Sequence, residues 1–338
     1  MKQQYKFSSA IVDYYFSERV SYLKKIVEYK KTIIITDENI FKCHSKKFKK
    51  WKLIVLKSGE AYKVQTTVDS IIKKLIEMNA DRTTTLIGVG GGVVTDITGY
   101  TASVYLRGID FGFVPTTLLA MVDASIGGKN GVDVDNCKNM VGIIRQPKFI
   151  LYDFNFLKTL PQGEWRNGFA EIIKHACIKD AISFSILEKQ SIKFYQKNRG
   201  ALSELIIRNV LLKTKLVQHD EFEKGERMLL NFGHTIGHAL EMKYELSHGQ
   251  AVSIGMAYAS MISEKLFGFK DAKKIITLLT KYELPTFAEF DNNKIFANLK
   301  KDKKRVRQEI NYVFLKKIGI GVVQLISLKK LEKLIQTL

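Results

Sequence analysis

Residues 83–96 read TTTLIGVGGGVVTD, an aliphatic and β-branched run that ends in consecutive glycines and resumes as an apolar segment. The pattern predicts a strand turning sharply into a helix, with glycines where backbone must approach a ligand closely and first-turn amides that favour a phosphate. The Gly-x-Gly-x-x-Gly dinucleotide fingerprint is not met as written, because Gly88, Gly90, Gly91 and Gly92 are followed by Val93. Upstream, KTIIITDEN (Lys31–Asn39) and KLIVLKS (Lys52–Ser58) read as buried strands closed by polar turns. Between Tyr62 and Asn79, Val64, Val68, Ile71, Ile72, Leu75 and Met78 recur at helical spacing. Strand, helix and strand in this order imply a parallel α/β sheet. After Pro161 the periodicity becomes that of long helices, with few strand candidates before NYVFLKKIG (Asn311–Gly319) and only Pro285 interrupting. An α/β domain over residues 1–157 and a mostly α-helical domain over 158–338 are expected.

The 338 residues are 46% hydrophobic and 11% aromatic, which excludes disorder as the main state, and the length suits roughly two domains. Cys43, Cys137 and Cys177 are odd in number and widely spaced, arguing against a disulfide framework and for a reducing compartment. The N-terminal sequence lacks an apolar signal core, and no stretch of about 18 uncharged apolar residues occurs, so a soluble, cytoplasmic protein is expected. With 54 Lys and Arg against 34 Asp and Glu, the net charge is +20, which calls for an anionic partner or substrate. Lysines spread along the whole chain, and only KKFKKWK (Lys46–Lys52) and KKDKKR (Lys300–Arg305) are dense. Phe48 and Trp51 interleave with the first run as in a single-strand nucleic-acid groove, but no nucleic-acid fold motif accompanies them, and a solvated basic edge is the simpler reading.

From Arg107 to Gly142 the chain reads RGIDFGFVPTTLLAMVDASIGGKNGVDVDNCKNMVG and packs Thr116, Thr117, Asp123, Lys129, Lys138 and Asn139 among small residues. Such a segment suggests a loop-built wall in which amides, hydroxyls and ammonium groups surround an anion. In the second half His234 and His238 lie one helical turn apart, His248 follows ten residues after His238, and His175 stands near Glu171. An i, i+4 pair with a third imidazole and a carboxylate suffices for zinc, and three ligands would leave the open position catalysis requires. Spacing alone leaves open which three bind. His44 and His219 receive no functional reading.

GGGVVTD, RGIDFGFVPTTLLAMVDASIGGKNG, KNMVG, LPQGEWRNGFAEIIKHA, GERMLLNFGHTIGHALE and HGQAVSIGMA occur in the order shown by the 3-dehydroquinate synthase family, which the chain resembles from about Ser58 to Lys304. That family belongs to the sugar-phosphate cyclases related to iron-dependent alcohol dehydrogenases. The resemblance implies an NAD-binding N-terminal domain with a Rossmann-like parallel sheet, a helical metal- and substrate-binding C-terminal domain, and an active site in the cleft between them. It implies Glu171, His234 and His248 as ligands of one divalent metal, zinc or cobalt, with His238 handling a proton. NAD would meet Asp37, Asn39, Ser58, Gly59, Glu60, Lys63, the turn Gly92, Val93, Val94, Thr95 and Asp96, then Thr116, Thr117, Lys129, Lys138, and Phe156, Leu157, Lys158 and Thr159. An acidic residue closing a strand, as Asp37 does, also suits ribose hydroxyls on physical grounds.

Substrate contacts implied by the resemblance fall on Asp123, Lys129, Lys138, Asn139, Lys174, Lys213, Arg227, Asn231, Lys303 and Lys304, while Arg107 would reach the substrate phosphate of a neighbouring subunit in a homodimer. The family substrate, 3-deoxy-arabino-heptulosonate 7-phosphate, carries a carboxylate and a phosphate, which a Lys and Arg cage would hold. Transient oxidation by NAD, β-elimination of phosphate, re-reduction and intramolecular aldol closure would yield 3-dehydroquinate without net oxidation, a lyase reaction of the shikimate pathway. No membrane or nucleic-acid partner is expected. Two positions depart from the common motif, Thr95 where glycine is frequent and Asn130 where threonine is, which places altered hydrogen bonding beside the cofactor and Lys129. A sibling cyclase making valiolone or deoxy-inosose rings and a metal-dependent polyol dehydrogenase are the competing readings.

Overall fold

The structure is a computed structural model that describes residues 1–135, 137–241, 244–289, 291, 305–306 and 308–338, with backbone alone for 137, 305 and 306. Lys303 and Lys304, and most of the basic run that contains them, lie outside the described residues. The chain divides into two compact units, residues 1–161 with 203–222 and residues 162–202 with 223–338.

In the first unit, strands β1 (Lys2–Lys6), β2 (Ile11–Phe16), β3 (Thr32–Asp37), β4 (Lys52–Leu56), β5 (Thr85–Gly90), β6 (Asp110–Pro115) and β9 (Phe149–Tyr152) form a seven-stranded sheet in the order β1-β2-β9-β6-β5-β3-β4. Only the terminal β1–β2 pair is antiparallel. The three isoleucines of β3 explain its inner place, since Ile33, Ile34 and Ile35 are all buried and a strand covered on both faces needs no alternation. Ile34 joins Ile87, Val89 and Val114 in a core closed by Leu23, Phe48 and Phe156. Helices α1 (Leu23–Ile26), α2 (Glu38–His44), α3 (Gln65–Glu77) and α4 (Gly92–Val104) interleave with these strands, and α3 buries Val68, Ile71 and Leu75 as its spacing predicts.

The β5 glycines do local steric work. A Cβ added to Gly90 would lie 2.5 Å from the Val94 side chain, so glycine is what lets the first turn of α4 fold back beside the strand end. Part of the expected wall of loops is a two-stranded antiparallel ribbon, β7 (Lys129–Val134) with β8 (Cys137–Ile144), and a π-helical turn at Ala120–Ala124 carries Asp123. Strand patterning is faint there because Lys, Asn, Gly and Asp are poor strand formers. Of the basic run 46–52, Phe48 is buried in the core and Trp51 packs edge-on against Tyr29, with ring centroids 4.8 Å apart.

The second unit contains α5 (Gln162–Lys179), α6 (Ala181–Lys189), α7 (Ile192–Lys197), the start of α8 (Arg199–His219), α9 (His234–Glu241), α10 (His248–Phe267), α11 (Ala272–Lys281) and α12 (Leu328–Gln336). A three-stranded sheet, β10 (Arg305–Val306), β11 (Glu309–Lys317) and β12 (Ile320–Ser327), adds the strand expected at 311–319 and a partner on each side. Helix α10 is almost wholly buried and packs on α5, α9, α11 and β11. Its approach to α9 is set by Gly255, where a Cβ would lie 1.8 Å from the Gly233 carbonyl oxygen.

Residues 203–222, beyond the expected 157/158 boundary, group with the first unit. Glu221 ties them to the N-terminal hairpin: its carboxylate accepts from the hydroxyls of Ser8 and Ser9, from the Ser9 amide at 3.0 Å and from Gln146 Nε2 at 2.8 Å. Burial pushes the Glu221 carboxyl up, but these donors outweigh it and hold the carboxyl below its usual value. Its stabilisation is therefore complete above the usual glutamate range and lost as pH falls through the lowered value. Glu221→Ala is expected to destabilise the protein by about 1–3 kcal/mol at pH 7, read from thermal or urea unfolding, with the difference from wild type shrinking in acid.

Candidate active site

In the second unit three donors converge. Glu171 and Lys174 lie one turn apart on α5, and Glu171 has no exposed surface. One carboxylate oxygen pairs with the Lys174 ammonium, itself 1% exposed. The other, Oε1, lies 3.0 Å from His248 Nε2 and 3.4 Å from His234 Nε2. One ligand atom from each of Glu171, His234 and His248 falls within 4.8 Å of the others. Two imidazole nitrogens and a carboxylate oxygen at this spacing form a donor set for a divalent ion such as zinc, and three protein ligands are one fewer than tetrahedral zinc takes. His238, one turn after His234, sets its ring 5.2 Å from that of His234 and 6.5 Å from that of His248. His175 is buried on α5.

Burial pushes the His234 imidazole below its usual range despite Glu171 beside it. Against the same burial, the Glu171 and Glu241 carboxylates raise His248 to about 10. Glu241, whose Oε2 lies 3.6 Å from His248 Nδ1, was not among the expected site residues. A signal for it exists, since 234, 238 and 241 follow i, i+4, i+7 on one helix face. Arg227 and Asn231 occupy the 3-10 stretch Glu226–Asn231, where Arg227 is 1% exposed and Asn231 Nδ2 donates to Glu223 Oε1 at 2.8 Å.

In the first unit a second group assembles around the glycine turn. Lys63, 5% exposed, pairs with Asp96 in the first turns of α4 at 2.5 Å and donates to Asn139 Oδ1 on β8 at 2.7 Å. Burial opposes its charge, but Asp96 and Glu60 hold the ammonium well above its usual value; at Asp96 burial outweighs the facing ammonium and raises the carboxyl above the usual carboxylate range as well. Asp133, absent from the sequence reading, accepts the Asn139 amide at 2.6 Å and donates its own amide to the Lys63 carbonyl at 2.8 Å. Lys138 faces Glu60 at 3.4 Å, Lys129 is exposed at the start of β7, and Lys213 on α8 donates to the Asp123 carboxylate at 2.8 Å and its carbonyl at 2.7 Å.

Asp37 caps α2 by accepting the Ile40 amide at 2.9 Å and takes the Ser58 hydroxyl at 3.3 Å, while the Asn39 amide reaches the same Ser58 oxygen at 3.3 Å. Gly59 has φ +112, a conformation suited to glycine. Val93 is half-buried and Val94 buried in the first turn of α4. Thr95 donates to the Gly92 carbonyl, Thr116 is buried, and Thr117 accepts the Ala120 amide. Phe156 and Leu157 are buried, Lys158 is exposed, and Thr159 meets His44 Nε2 at 2.8 Å. Asn130 supports the entry to β7, its Nδ2 donating to the Gly128 and Arg145 carbonyls at 2.7 and 2.9 Å. Arg107 is exposed on a corner where Leu106, Arg107 and Gly108 all have positive φ, a strained run for the first two.

Two family descriptions match in tandem, the 3-dehydroquinate synthase N-terminal region over residues 53–167 and the C-terminal region over 168–305. The chain belongs to the 3-dehydroquinate synthase family. A 3-dehydroquinate synthase from Clostridium beijerinckii is 38% identical over 312 residues, spanning 88% of each chain. Among solved structures, 2-epi-5-epi-valiolone synthase from Streptomyces hygroscopicus subsp. jinggangensis, with NAD+ and Zn2+ bound, matches at TM-score 0.87 and 27% identity over 98% of both chains. A 2-deoxy-scyllo-inosose synthase complexed with carbaglucose-6-phosphate, NAD+ and Co2+ matches at TM-score 0.86 and 25% identity over 100% of both chains. The Clostridium beijerinckii 3-dehydroquinate synthase is thus more alike in sequence than these two solved structures, which share the fold.

Glu171→Ala, His234→Ala and His248→Ala are each expected to abolish stoichiometric zinc binding in calorimetric titrations, while His238→Ala retains it. Zinc affinity of the wild type is expected to rise with pH, because the ion must displace the proton that the two carboxylates hold on His248.

Proposed function

We propose that this chain converts 3-deoxy-arabino-heptulosonate 7-phosphate to 3-dehydroquinate and inorganic phosphate, using NAD and one zinc or cobalt ion. The observation that carries the reading is the convergent donor set of buried Glu171 and His234 with half-buried His248, in a chain 38% identical to a 3-dehydroquinate synthase over most of both lengths. When bound, NAD takes up and returns one hydride, and the divalent ion polarises the oxygen on the carbon being oxidised. The rest of the chemistry belongs to side chains of this chain.

Lys129, Lys138, Asn139 and Lys213 from the first unit, and Lys174, Arg227 and Asn231 from the second, are assigned to the two anionic ends of the substrate, together with Lys303 and Lys304. Charge-assisted hydrogen bonds to phosphate and carboxylate are the interactions ammonium and guanidinium groups make best. Buried Lys174 and Arg227 act in low dielectric, where they are stronger than in water. The glycine turn, Thr116, Thr117, Asp37, Ser58 and the 156–159 stretch are assigned to the dinucleotide, with Lys63 and Asp96 linking that turn to the Asn139 strand.

His238 is assigned to take and return the hydroxyl proton of the oxidised carbon. Ketone formation acidifies the neighbouring carbon, whose proton passes to an oxygen of the departing phosphate as the carbon–oxygen bond breaks; after the hydride is returned the hemiketal ring opens, and an intramolecular aldol bond closes the carbocycle. Because the hydride is returned, the sum is a carbon–oxygen lyase reaction. Holding both ends of the substrate makes the aldol step effectively unimolecular. The family resemblance assigns exposed Arg107 to a neighbouring subunit's site in a homodimer.

Supplied with the heptulosonate phosphate, catalytic NAD and zinc or cobalt, the protein is expected to release phosphate without accumulating absorbance at 340 nm. NADH accumulation on simple polyols without phosphate release would instead establish a dehydrogenase, and turnover of other sugar phosphates a sibling cyclase. Arg107→Ala is expected to lose activity and regain part of it when mixed with a subunit defective at Lys174; absence of such complementation would refute the shared site.

A further inference from the structure

We infer that Glu241 is a positioning residue for the metal centre, holding the His248 imidazole in the tautomer and orientation that aim Nε2 at the ion. The inference rests on the reading of Glu171, His234 and His248 as the ligands. Both imidazoles present Nε2 to the same Glu171 oxygen, so each turns Nδ1 away from the donor cluster. A neutral imidazole carries one N–H; when an ion takes the Nε2 lone pair together with the Glu171 oxygen that Nε2 faces, the proton belongs on Nδ1, where it needs an acceptor outside the donor set. His234 satisfies this condition with a backbone group, its Nδ1 lying 3.1 Å from the Phe232 carbonyl oxygen. For His248 the carboxylate facing Nδ1 is that of Glu241, its Oε2 at an ion-pair distance of 3.6 Å on a side chain only 6% exposed, from which a small turn of the ring makes a hydrogen bond.

The backbone at His248 is held independently. Ser247 and Gln250 form a capping box at the start of α10, and Asn167 Oδ1 accepts the Ser247 hydroxyl at 2.7 Å and the Gly249 amide at 3.1 Å. What these contacts leave unset is the ring's rotation about its side-chain bonds, and Glu241 is placed to set it. A carboxylate acceptor does more than a carbonyl, because it also makes the ligating nitrogen a stronger donor.

The test uses Co2+ binding to the full-length apoprotein by chelator competition, with the visible absorption of the bound ion as a second readout. Glu241→Ala is expected to weaken Co2+ binding on the order of 10–100-fold and alter the spectrum. Glu241→Gln, which keeps an acceptor oxygen but no charge, is expected to fall between it and wild type. Wild-type affinity and spectrum in both variants would overturn the inference. In the wild-type zinc protein, long-range proton–nitrogen correlation of the histidine rings is expected to place the His248 proton on Nδ1. A proton on Nε2 would overturn the inference however the variants fold. Failure of wild type to bind Co2+, or full binding by His234→Ala, would instead refute the ligand reading itself.

Discussion

Glu171 is a carboxylate with no exposed surface, and a charge so placed persists only where other groups compensate it. Its two oxygens divide the task, one against the equally buried Lys174 and one against two imidazoles. Helix α5 thereby brings an anion and a cation into the interior, while α9 and α10 each contribute a histidine near its first turn. The close passage of α9 and α10, possible because Gly255 lacks a side chain, keeps these histidines within reach of a single oxygen. Packing and polarity are therefore one constraint here: a bulkier residue at the crossing would separate the donors that make the buried carboxylate tolerable.

The first unit shows the same economy with different groups. Lys63 is buried yet strongly held in its charged form, because Asp96 comes from the turn after β5 and Asn139 from β8, with Asp133 ordering the Asn139 backbone. Asn130, one of the two departures from the common motif, spends its amide on the Gly128 and Arg145 carbonyls and so fixes the strand that begins with Lys129. Its Oδ1 lies where a Cβ on Gly99 would be, 1.9 Å away, which makes glycine in α4 and asparagine in β7 a matched pair.

Much of this was legible from residue order. The run at 83–96 announced a strand, a tight turn and a helix, and β3, β4 and α3 fall inside the spans their patterns indicated. The i, i+4 histidines identified an imidazole pair on one helix face. Harder to see were the β7–β8 ribbon, whose polar residues carry little strand signal, and the N-terminal hairpin, which depends on pairing with itself and with β9. Asp133 and Glu241 escaped notice because a carboxylate's role is set by what faces it in space.

The sequence by itself determined the fold class, the family and the residue types suited to an anionic substrate, because periodicity, glycine placement and long contiguous motifs are properties of residue order. Tertiary structure alone decided which donors share an oxygen, that residues 203–222 pack with the first unit although they follow a helix of the second, and that Phe48 lies in the core. Those outcomes depend on which surfaces meet when helices and strands pack. A helix with an apolar face carries no record of the partner that face will find, and a buried charge carries none of the group that will neutralise it.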